Sequence, residues 1–441
     1  MDMAVTVLQV GEGRFLRAFL GPWLAEARAE GRFRGRAVLT APRPSGTPRL
    51  EALRARGGAY RVVVRGPRGE RTAEIAPYDL ICDAFSEAEA LLGEVTAPRP
   101  LVVVSNTTEA GLSYRPQSRE RPETYPARLT AWLEARRAAG VEAPTAVVPC
   151  ELLEGNALVL REAVGRHAAD WGLPVGPLTA RTAFVETLVD RIVTSEDAAD
   201  PLACFTEPYA AFYLGAAPDW LREALPIGPR GVHWVRDVTP ARDRKVRLLN
   251  GTHTLMAVLG LPLGCRGVAE ALGHPVLGPF LRQAMFSDGV ESFPEAARPE
   301  AWAFAEETVA RLLNPGVRDT LERLVLQLSA KVGARWRPIL EGCRRERGAW
   351  PGRFALGLAG YLRLAAAPEP GLPDLAAVDD PEWIGRLRSL WRPDDPAGFV
   401  AAAAAEAGWP APAEPALLSA VTGQLEAIAL RGLEACVRAL S

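Results

Sequence analysis

The first third of the chain alternates short runs of β-branched residues with helical stretches. The first run is followed by an amphipathic segment over residues 15–29, and the Pro- and Gly-rich stretches 42–48 and 113–126 indicate surface loops. This alternation is typical of a parallel sheet with crossover helices, so it predicts an α/β domain. The predicted strands cover residues 5–10, 37–41, 60–64, 80–82, 101–105 and 146–149.

From about residue 195 the pattern changes to long segments rich in Ala, Leu and Arg, separated by proline. Strand signals largely disappear there, except in a short β-rich segment at 231–238. A chain of 441 residues is also too long for one ordinary core. We therefore predict an α/β domain over residues 1–195 and a mostly α-helical domain over residues 196–441. The predicted helices of the second domain cover 267–286, 301–314, 317–330, 353–366 and 415–439.

Composition and charge exclude several classes of partner. Hydrophobic residues make up 48% and charged residues 24%, and the formal net charge of −2 gives no bulk attraction to nucleic acid or to an anionic membrane. The six cysteines form no Cys-x-x-Cys pair, so neither a disulfide framework nor a thiolate metal site is expected. The start lacks a secretory signal, and no uncharged apolar stretch approaches the roughly 18 residues of a membrane span. We expect a cytoplasmic protein, whose oligomeric state the sequence does not give.

A pair of glycines follows the first predicted strand and precedes the first predicted helix, which is the context of a dinucleotide-binding turn. Gly11 would allow the tight turn, and Gly13 would let backbone N–H groups approach a pyrophosphate at the helix start. Leu16 replaces the third glycine of the usual pattern, so an ordinary strand-to-helix turn is the alternative. In the same segment, Phe15 is a candidate cofactor residue, and Arg17 would add a phosphate contact unless it is an ordinary exposed arginine.

Ser105, Asn106 and Thr107 follow another predicted strand, at the edge of the sheet where open α/β folds bind ligands. Their hydroxyls and amide would hold the nicotinamide ribose, although such clusters also cap helices. After the second predicted strand the chain offers Pro42 and Arg43 and no carboxylate. An acidic residue there would favour NAD and an arginine would suit NADP, so these residues leave the choice of cofactor open.

The segment 150–156 ends the next predicted strand and carries two carboxylates. They would form a catalytic pair or, as we prefer, orient neighbouring groups. Cys150 has no basic group near it in the sequence, so it is not expected to be a nucleophile.

Only two lysines occur among the 51 basic residues, and one of them, Lys245, lies in the segment 244–253. A desolvated Lys can have its pKa lowered and can exchange a proton near neutral pH, whereas Arg stays protonated. If residues 245–256 are α-helical, Lys245, Asn250 and His253 fall within roughly 140° of arc. Together they suggest a site that holds an oxygen atom and moves a proton, against the plainer alternative of a structural histidine and an ordinary helix asparagine.

These segments resemble the long-chain mannitol dehydrogenase family, also called the polyol-specific long-chain dehydrogenases and reductases. Within that family the resemblance is closest to the tagaturonate reductase (altronate oxidoreductase) branch, and the spacing Lys-x4-Asn-x2-His is quite specific. The similar segments are 8–19, 105–111, 149–152, 187–193 and 234–253.

The resemblance implies an N-terminal Rossmann-type domain, a mostly α-helical C-terminal domain and a dehydrogenase or ketone reductase that needs no metal. It implies that Lys245 is the general acid and base, that Asn250 helps to polarise the carbonyl, and that His253 contacts substrate hydroxyls. It also implies that Asp190 lies near the cofactor and substrate.

The chain departs from the family pattern at two positions. Leu152 stands where mannitol dehydrogenases carry an Asn of the oxyanion hole, and Asn156 is the candidate substitute. Glu186 stands where the uronate branch is expected to have a polar amide. Independently of the resemblance, Lys331 and Arg335 lie four residues apart and would pair with a substrate carboxylate, or else form a basic helix flank in water.

We therefore expect an oxidoreductase that interconverts a keto-uronate and an aldonate, with tagaturonate and altronate as the preferred pair. The expected cofactor is NAD, with NADP left open, and the expected partner is a small sugar acid. The alternatives are a mannitol- or fructuronate-type polyol dehydrogenase and a nucleotide-binding protein that has lost turnover. The presence of Lys245, Asn250 and His253 argues against the last.

Overall fold

The computed structural model describes residues 4–194, 199–225, 227 and 231–441. The chain divides into two compact units, Met1–Ala241 and Arg242–Ser441. Unit 1 is α/β and unit 2 is helical, so the predicted fold class is confirmed. The strands of unit 1 are β1 (Thr6–Val10), β2 (Arg36–Thr40), β3 (Tyr60–Gly66), β4 (Gly69–Ile75), β5 (Leu80–Ile81), β6 (Leu101–Ser105), β7 (Thr145–Pro149), β8 (Thr182–Phe184), β9 (Thr187–Asp190), β10 (Val193–Thr194), β11 (Cys204–Thr206), β12 (Ala211–Gly215) and β13 (Val232–Val235).

Six of these strands form the main sheet, in the order β5-β2-β1-β6-β7-β8 and with every neighbouring pair parallel. Counted along the chain within this sheet, the order is 3-2-1-4-5-6, which is that of doubly wound dinucleotide-binding folds. The central strands are wholly buried because helices cover both faces. The sheet confirms, to within one residue at each end, the strands predicted at 5–10, 37–41, 80–82, 101–105 and 146–149.

The other strands form two smaller sheets, ordered β10-β11-β3-β4 and β13-β12-β9. The strand predicted at 60–64 exists as β3, but it lies outside the main sheet and pairs antiparallel with β4. The sequence missed β4 because nearly all of its residues are exposed, so it lacks the apolar pattern of a buried strand. The β-rich segment predicted at 231–238 is confirmed as β13.

The predicted domain boundary after residue 195 lies earlier than the observed division. The reason is strand pairing: β11 pairs with β3, and β12 pairs with β9 and β13. Strands β11, β12 and β13 therefore belong to the sheets of unit 1. The sequence did not reveal β11 and β12, of 3 and 5 residues, because they are fixed by pairing with distant strands, which no local pattern contains.

Helices cover both faces of the main sheet. On one face, α1 packs Leu16, Phe19 and Leu20 against β-strand residues that include Val102 and Val104. On the opposite face, α4 and α5 pack against the alternate strand residues, because successive side chains of a strand point to opposite sides. The helices of unit 1 are α1 (Arg14–Ala29), α2 (Thr47–Ala55), α3 (Ala88–Val95), α4 (Tyr125–Ala138), α5 (Asn156–Asp170), α6 (Val175–Ala180) and α7 (Asp219–Ala224), with 3-10 turns at Pro44–Gly46 and Glu109–Leu112.

Unit 2 is built around one buried helix. Helix α8 (Thr239–Arg244) crosses the division after Ala241 and continues through a π-helical turn, Lys245–Asn250, into α9 (Gly251–Gly260). All ten residues of α9 are buried, as expected for a helix that is apolar on every side. The other helices are α10 (Val268–Gly273), α11 (Leu277–Gln283), α12 (Arg298–Leu312), α13 (Leu321–Leu324), α14 (Leu328–Arg347), α15 (Gly352–Ala366), α16 (Leu375–Val378), α17 (Pro381–Leu390), α18 (Pro396–Ala405), α19 (Pro415–Arg431) and α20 (Leu433–Ala439), with a second π-helical turn at Ala284–Gly289 and 3-10 turns at Val290–Ser292 and Glu295–Ala297.

The helices predicted at 301–314 and 353–366 are confirmed as α12 and α15. The segment 267–286 is broken after α10, because a residue that precedes proline disfavours the helical conformation and His274 precedes Pro275. The segment 415–439 is broken at Gly432, whose φ is +79°. The helix predicted at 317–330 is wrong: it contains only α13 and the start of α14, the 20-residue helix that the sequence missed. No helix in the described part of the chain is long and apolar enough to cross a membrane.

Candidate active site

The carboxyl edge of the main sheet carries most of the predicted cofactor residues. Strand β1 pairs with β2 on one side and with β6 on the other, so the strand order reverses beside it. Val10, at the end of β1, lies in register with Thr40 and Ser105. The loops after β1 and β6 therefore flank the switch point, where open α/β sheets bind ligands. The predicted segments 11–17 and 105–107 meet at this point.

Gly11 and Gly13 suit a dinucleotide turn for different reasons. Gly11 has φ +135°, and a Cβ there would lie 2.8 Å from the carbonyl oxygen of Asn106, so no other residue fits without strain. Its N–H donates to the carbonyl of Thr40 at 2.9 Å, which closes the turn. Gly13 caps α1, and nothing lies within 4 Å of the position that its Cβ would take. This open space at a helix N-terminus has room for a pyrophosphate group, so the turn fits a dinucleotide.

Arg17 has a different role from the predicted one. Its side chain is fully buried, and it donates to the backbone carbonyls of Glu12, at 2.9 Å, and of Leu202. The predicted phosphate contact is therefore wrong. The guanidinium instead joins the glycine turn to residue 202 from inside the fold. Phe15 is half-buried on the first turn of α1, where its ring stacks on Phe19 at 5.0 Å.

Glu151 organises the predicted ribose-binding loop. Its buried carboxylate accepts hydrogen bonds from the hydroxyl of Ser105 at 3.1 Å and from both the backbone N–H and the hydroxyl of Thr107 at 2.8 and 3.0 Å. Burial raises the pKa of Glu151 above its usual range. The side-chain amide of Asn106 donates to the carbonyl of Cys150 at 2.7 Å. Glu151 thus orients its neighbours, as preferred from the sequence. Burial also raises the pKa of the Cys150 thiol, which fits an inert cysteine.

Asn156 is not available as the second oxyanion donor. It is fully buried, and its Nδ2 lies 3.0 Å from the carbonyl of Pro149, 3.1 Å from that of Glu151 and 3.2 Å from that of Thr187. Its Oδ1 accepts from the N–H of Thr187 at 3.2 Å. The predicted substrate contact is therefore wrong, because every polar atom of this amide is used to join the end of β7 to β9. Asp190, the last residue of β9, is also buried.

Two of the predicted catalytic residues, Lys245 and Asn250, lie on a π-helical turn where the sequence suggested an α-helix, and His253 lies on the α-helix α9 that follows. The N–H of Gly251 donates to the carbonyl of Val246, five residues earlier. Lys245 and Asn250 are also five residues apart, and the wider turn brings them closer to one line than the roughly 140° of an α-helix. Lys245, Asn250 and His253 are 7–8% exposed, so all three are buried without being sealed from solvent.

His253 is a neutral imidazole near neutral pH. Its pKa is lowered to about 4, mainly by burial; Asp319 opposes the shift, and Arg335 contributes to it. Its buried Nε2 has no hydrogen-bond partner among the described residues. Buried polar nitrogens are nearly always hydrogen-bonded in folded proteins, so this atom is suited to bind a polar ligand group.

Arg335 lies against the same helix. Its Nη1 donates to the hydroxyl of Thr254 at 3.1 Å and lies 3.4 Å from the carbonyl of Asn250. Lys331 lies one turn earlier on α14, where its Nζ donates to the carbonyl of Leu324 at 3.1 Å. Arg335, one of the two predicted carboxylate-binding cations, thus contacts the residues that neighbour His253 on its helix.

Sequence reasoning missed Thr254 and the π-helical turn. The five-residue spacing of Lys245 and Asn250 was the available signal for the turn, since it equals the spacing of π-helical hydrogen bonds. Among the described residues, no group of three or more His, Cys, Asp or Glu side chains is arranged to hold a metal ion.

The fold and the site define a protein of the Rossmann class with a separate helical unit. Family models of the mannitol dehydrogenase Rossmann domain and the mannitol dehydrogenase C-terminal domain match residues 5–219 and 237–388. The chain belongs to the mannitol dehydrogenase family, as the resemblance of its motifs predicted.

Curated relatives and solved structures agree with this membership. An altronate oxidoreductase of Bacillus subtilis is 31% identical over 88% of this chain and 84% of its own length, and one of Klebsiella pneumoniae is 30% identical over 98% and 96%. The fold is shared with Pseudomonas fluorescens mannitol 2-dehydrogenase, solved as a ternary complex with NAD and D-mannitol, at a TM-score of 0.79 and 21% identity over 100% of this chain and 94% of that one. A D-sorbitol dehydrogenase structure matches with a TM-score of 0.78 and 20% identity, over 99% and 95%.

Proposed function

We propose that the chain is a nicotinamide-dinucleotide-dependent oxidoreductase that reduces tagaturonate to altronate and catalyses the reverse reaction. The observation that carries the proposal is the alignment of buried Lys245 and Asn250, one proton carrier and one amide, on a single π-helical turn. The altronate oxidoreductases that are about 30% identical over most of this chain support the choice of substrate.

Reduction of a ketone adds a hydride to carbon and a proton to oxygen. The dinucleotide, when bound, supplies the hydride. The ammonium group of Lys245 donates the proton, and the amide N–H of Asn250 donates a hydrogen bond to the same oxygen as negative charge develops there. A positioned acid contributes on the order of 10²–10⁴ in rate, and an oxyanion donor about 10²–10³. In the reverse direction the neutral amine of Lys245 accepts the proton of the alcohol.

The two other polar groups of this helix region select the sugar acid. The unpartnered Nε2 of His253 binds a substrate hydroxyl, and a neutral imidazole can donate or accept in that contact. The guanidinium of Arg335 pairs with the carboxylate of the uronate, because its planar donors match a carboxylate. We assign the carboxylate contact to Arg335 in preference to Lys331.

Unit 1 holds the dinucleotide. The pyrophosphate would lie against the turn of Gly11 and Gly13, and the nicotinamide ribose against Ser105, Asn106 and Thr107, which Glu151 keeps in place. The resemblance further implies that Asp190 lies near the cofactor and substrate. In this proposal, neither Arg17 nor Asn156 contacts the dinucleotide or the substrate.

One other activity has a specific observation in its favour. The two solved structures that share the fold are named for mannitol and sorbitol, which are neutral polyols. The second candidate is a mannitol- or fructuronate-type dehydrogenase, and of these two the names of the solved structures favour the mannitol type. A mannitol-type enzyme would use the same Lys245 and Asn250. It would differ in having no cation that binds a substrate carboxylate.

The experiment is a substrate panel followed at the nicotinamide absorbance. Purified protein is assayed with tagaturonate, fructuronate and fructose, and with altronate and mannitol, each with NADH or NADPH or their oxidised forms. Lys245→Met serves as the inactive control, and its thermal unfolding is compared with that of the wild type. Preferred turnover of tagaturonate and altronate supports the proposal. Preference for fructose would establish the second candidate, a mannitol-type dehydrogenase. If the protein is folded and binds the nucleotide but turns over no substrate, the chain has lost catalysis.

A further inference from the structure

Gly251 closes the π-helical turn, and both of its backbone polar groups are hydrogen-bonded. Its N–H donates to the carbonyl of Val246, five residues earlier, which is the bond that distinguishes the turn from an α-helix. Its carbonyl accepts a hydrogen bond at 3.0 Å from the indole N–H of Trp336, on α14. In an α-helix the N–H of Gly251 would bond to the carbonyl of Arg247 instead. Trp336 therefore binds the residue at which the two backbone patterns differ.

Trp336 is enclosed in the core of unit 2. Its side chain is fully buried, and its ring packs edge-on against that of Phe354, with the ring centres 5.9 Å apart. Gly357 leaves room for the indole, since a Cβ there would lie 3.1 Å from its Cη2. An indole has one hydrogen-bonding group, the N–H donor, and here it is directed at the carbonyl of Gly251. The surrounding core thus fixes the direction of this hydrogen bond.

The lack of a side chain at Gly251 allows α14 to lie this close to the turn. A Cβ on Gly251 would lie 2.8 Å from Cδ1 of Ile339, which is three residues after Trp336 on α14. Ile339 is fully buried, so its side chain is surrounded by other core groups. The preceding carbonyl, that of Asn250, accepts a hydrogen bond from the hydroxyl of Thr254 at 3.0 Å. Side chains as well as backbone bonds therefore hold the end of the turn.

We propose that Trp336 is a positioning residue, whose hydrogen bond to Gly251 keeps the turn in the π-helical pattern that brings Lys245 and Asn250 to one side of the helix. Trp336 acts through the backbone of Gly251. In an α-helix that kept every residue, Lys245 and Asn250 would point in different directions, so they could not both reach one substrate oxygen. The inference rests on the proposed function for the catalytic roles of those two residues.

The first measurement is amide hydrogen exchange in the full chain, which needs no substrate. Trp336→Phe removes the indole N–H and keeps an aromatic ring. Loss of the donor to a buried carbonyl shifts a local opening equilibrium about tenfold or more. Exchange over residues 245–251 should therefore be at least about tenfold faster in this variant than in the wild type.

Trp383→Phe is the matched control. Trp383 is also buried in unit 2, but its indole N–H donates to the hydroxyl of Tyr361, at 2.7 Å. This variant loses a comparable hydrogen bond and comparable ring volume, so its thermal unfolding should fall by a similar amount. It should leave exchange over residues 245–251 within about twofold of the wild type.

The second measurement separates kcat from KM in the reduction of tagaturonate. Trp336→Phe should lower kcat about tenfold or more and change KM by less than about threefold, because the turn carries the reacting groups and His253 and Arg335 lie outside it. Dinucleotide affinity in calorimetry should stay within about twofold, since the dinucleotide binds unit 1. Trp383→Phe should keep kcat within about twofold.

Gly251→Ala tests the same contact from the side of the turn. The new Cβ would push Ile339 and α14 away, so kcat should fall at least about tenfold. Adding Ile339→Val removes the Cδ1 atom that the Cβ would meet, and the double variant should recover most of the loss. This pair decides the question if Trp336→Phe does not fold, and a double variant without recovery would then overturn the inference.

Unchanged exchange or unchanged kcat in a folded Trp336→Phe would also overturn the inference, as would equal effects in Trp383→Phe. A wild type that turns over no sugar acid, combined with faster exchange of the turn in Trp336→Phe alone, would refute the proposed function and leave the hold of Trp336 on the turn standing. Equal turnover of tagaturonate by the wild type and Trp336→Phe would do the reverse.

Discussion

Replacing Arg335 with Met should separate uronate chemistry from polyol chemistry. Arg335 is half-buried, and its hydrogen bonds to Thr254 and to the Asn250 carbonyl hold the guanidinium against the helix of His253. Methionine keeps most of the apolar stem and removes the charge. If Arg335 binds the substrate carboxylate, the variant loses that ion pair only with substrates that carry a carboxylate.

The size of the effect follows from the exposure of the group. A charge-assisted hydrogen bond contributes about 1.5–3 kcal/mol, and the partial exposure of Arg335 argues for the lower half of that range. A loss of about 2 kcal/mol lowers kcat/KM about 30-fold. With fructose, which has no carboxylate, kcat/KM should change by less than about threefold.

The assay compares tagaturonate with fructose for the wild type and for Arg335→Met, Arg335→Lys and Lys331→Met. Arg335→Lys should recover part of the loss because it restores the charge without the planar donors. Lys331→Met is the matched control, since that ammonium donates to the Leu324 carbonyl. An equal loss on both substrates with unchanged thermal unfolding would refute the reasoning. A larger loss in Lys331→Met would move the carboxylate contact to that residue.

Three further outcomes are expected. Lys245→Arg should lower turnover at least about 10²-fold in both directions, because Arg cannot release its proton, and the rise of wild-type oxidation with pH should vanish in any Lys245 variant that retains activity. Glu151→Gln should weaken dinucleotide binding by about tenfold in calorimetry, because the new amide N–H groups face the donors of Ser105 and Thr107; unchanged binding would deny Glu151 its orienting role. The pKa of His253, about 4 in the folded chain against about 6.5 unfolded, should make urea stability fall between about pH 6.5 and pH 4, by up to about 3 kcal/mol, because the unfolded state binds the extra proton. That fall should shrink in His253→Gln, and an identical pH profile in wild type and variant would contradict the assignment.

The main sheet could be predicted because its strands are short apolar runs separated by helices. The two smaller sheets could not, for opposite reasons. The residues of β4 are nearly all exposed, whereas β11 and β12 are apolar but are fixed by pairing with distant strands. Such pairing depends on tertiary contacts that no local pattern contains. Because of the same pairing, the two units divide after Ala241 and not at residue 195, where the sequence pattern changes.

The candidate site was predictable where spacing and residue type alone carry the chemistry. Gly11 is required by its φ and by the approach of Asn106, and both follow from a turn that the sequence indicated. Arg17 and Asn156 were misassigned because their exposure and partners depend on the fold: one is enclosed by carbonyls, and the other has all its amide atoms bound. For a polar residue beside a binding motif, the sequence does not show whether the side chain faces a ligand or the protein interior.

The π-helical turn at Lys245–Asn250 interrupts a longer α-helix, formed by α8 before it and α9 after it. Compared with an α-helix, the turn contains one extra residue, so side chains that are five residues apart across it lie on nearly the same side of the helix. Removing any one residue from the turn would restore α-helical hydrogen bonding and leave the backbone locally more regular. Where the removed residue lies between Lys245 and Asn250, the two would be four residues apart, about 40° in an α-helix, and would stay on the shared face. An α-helix that kept every residue would instead set them about 140° apart. At this place the hydrogen-bond pattern of the backbone, as much as the identity of the residues, specifies the site.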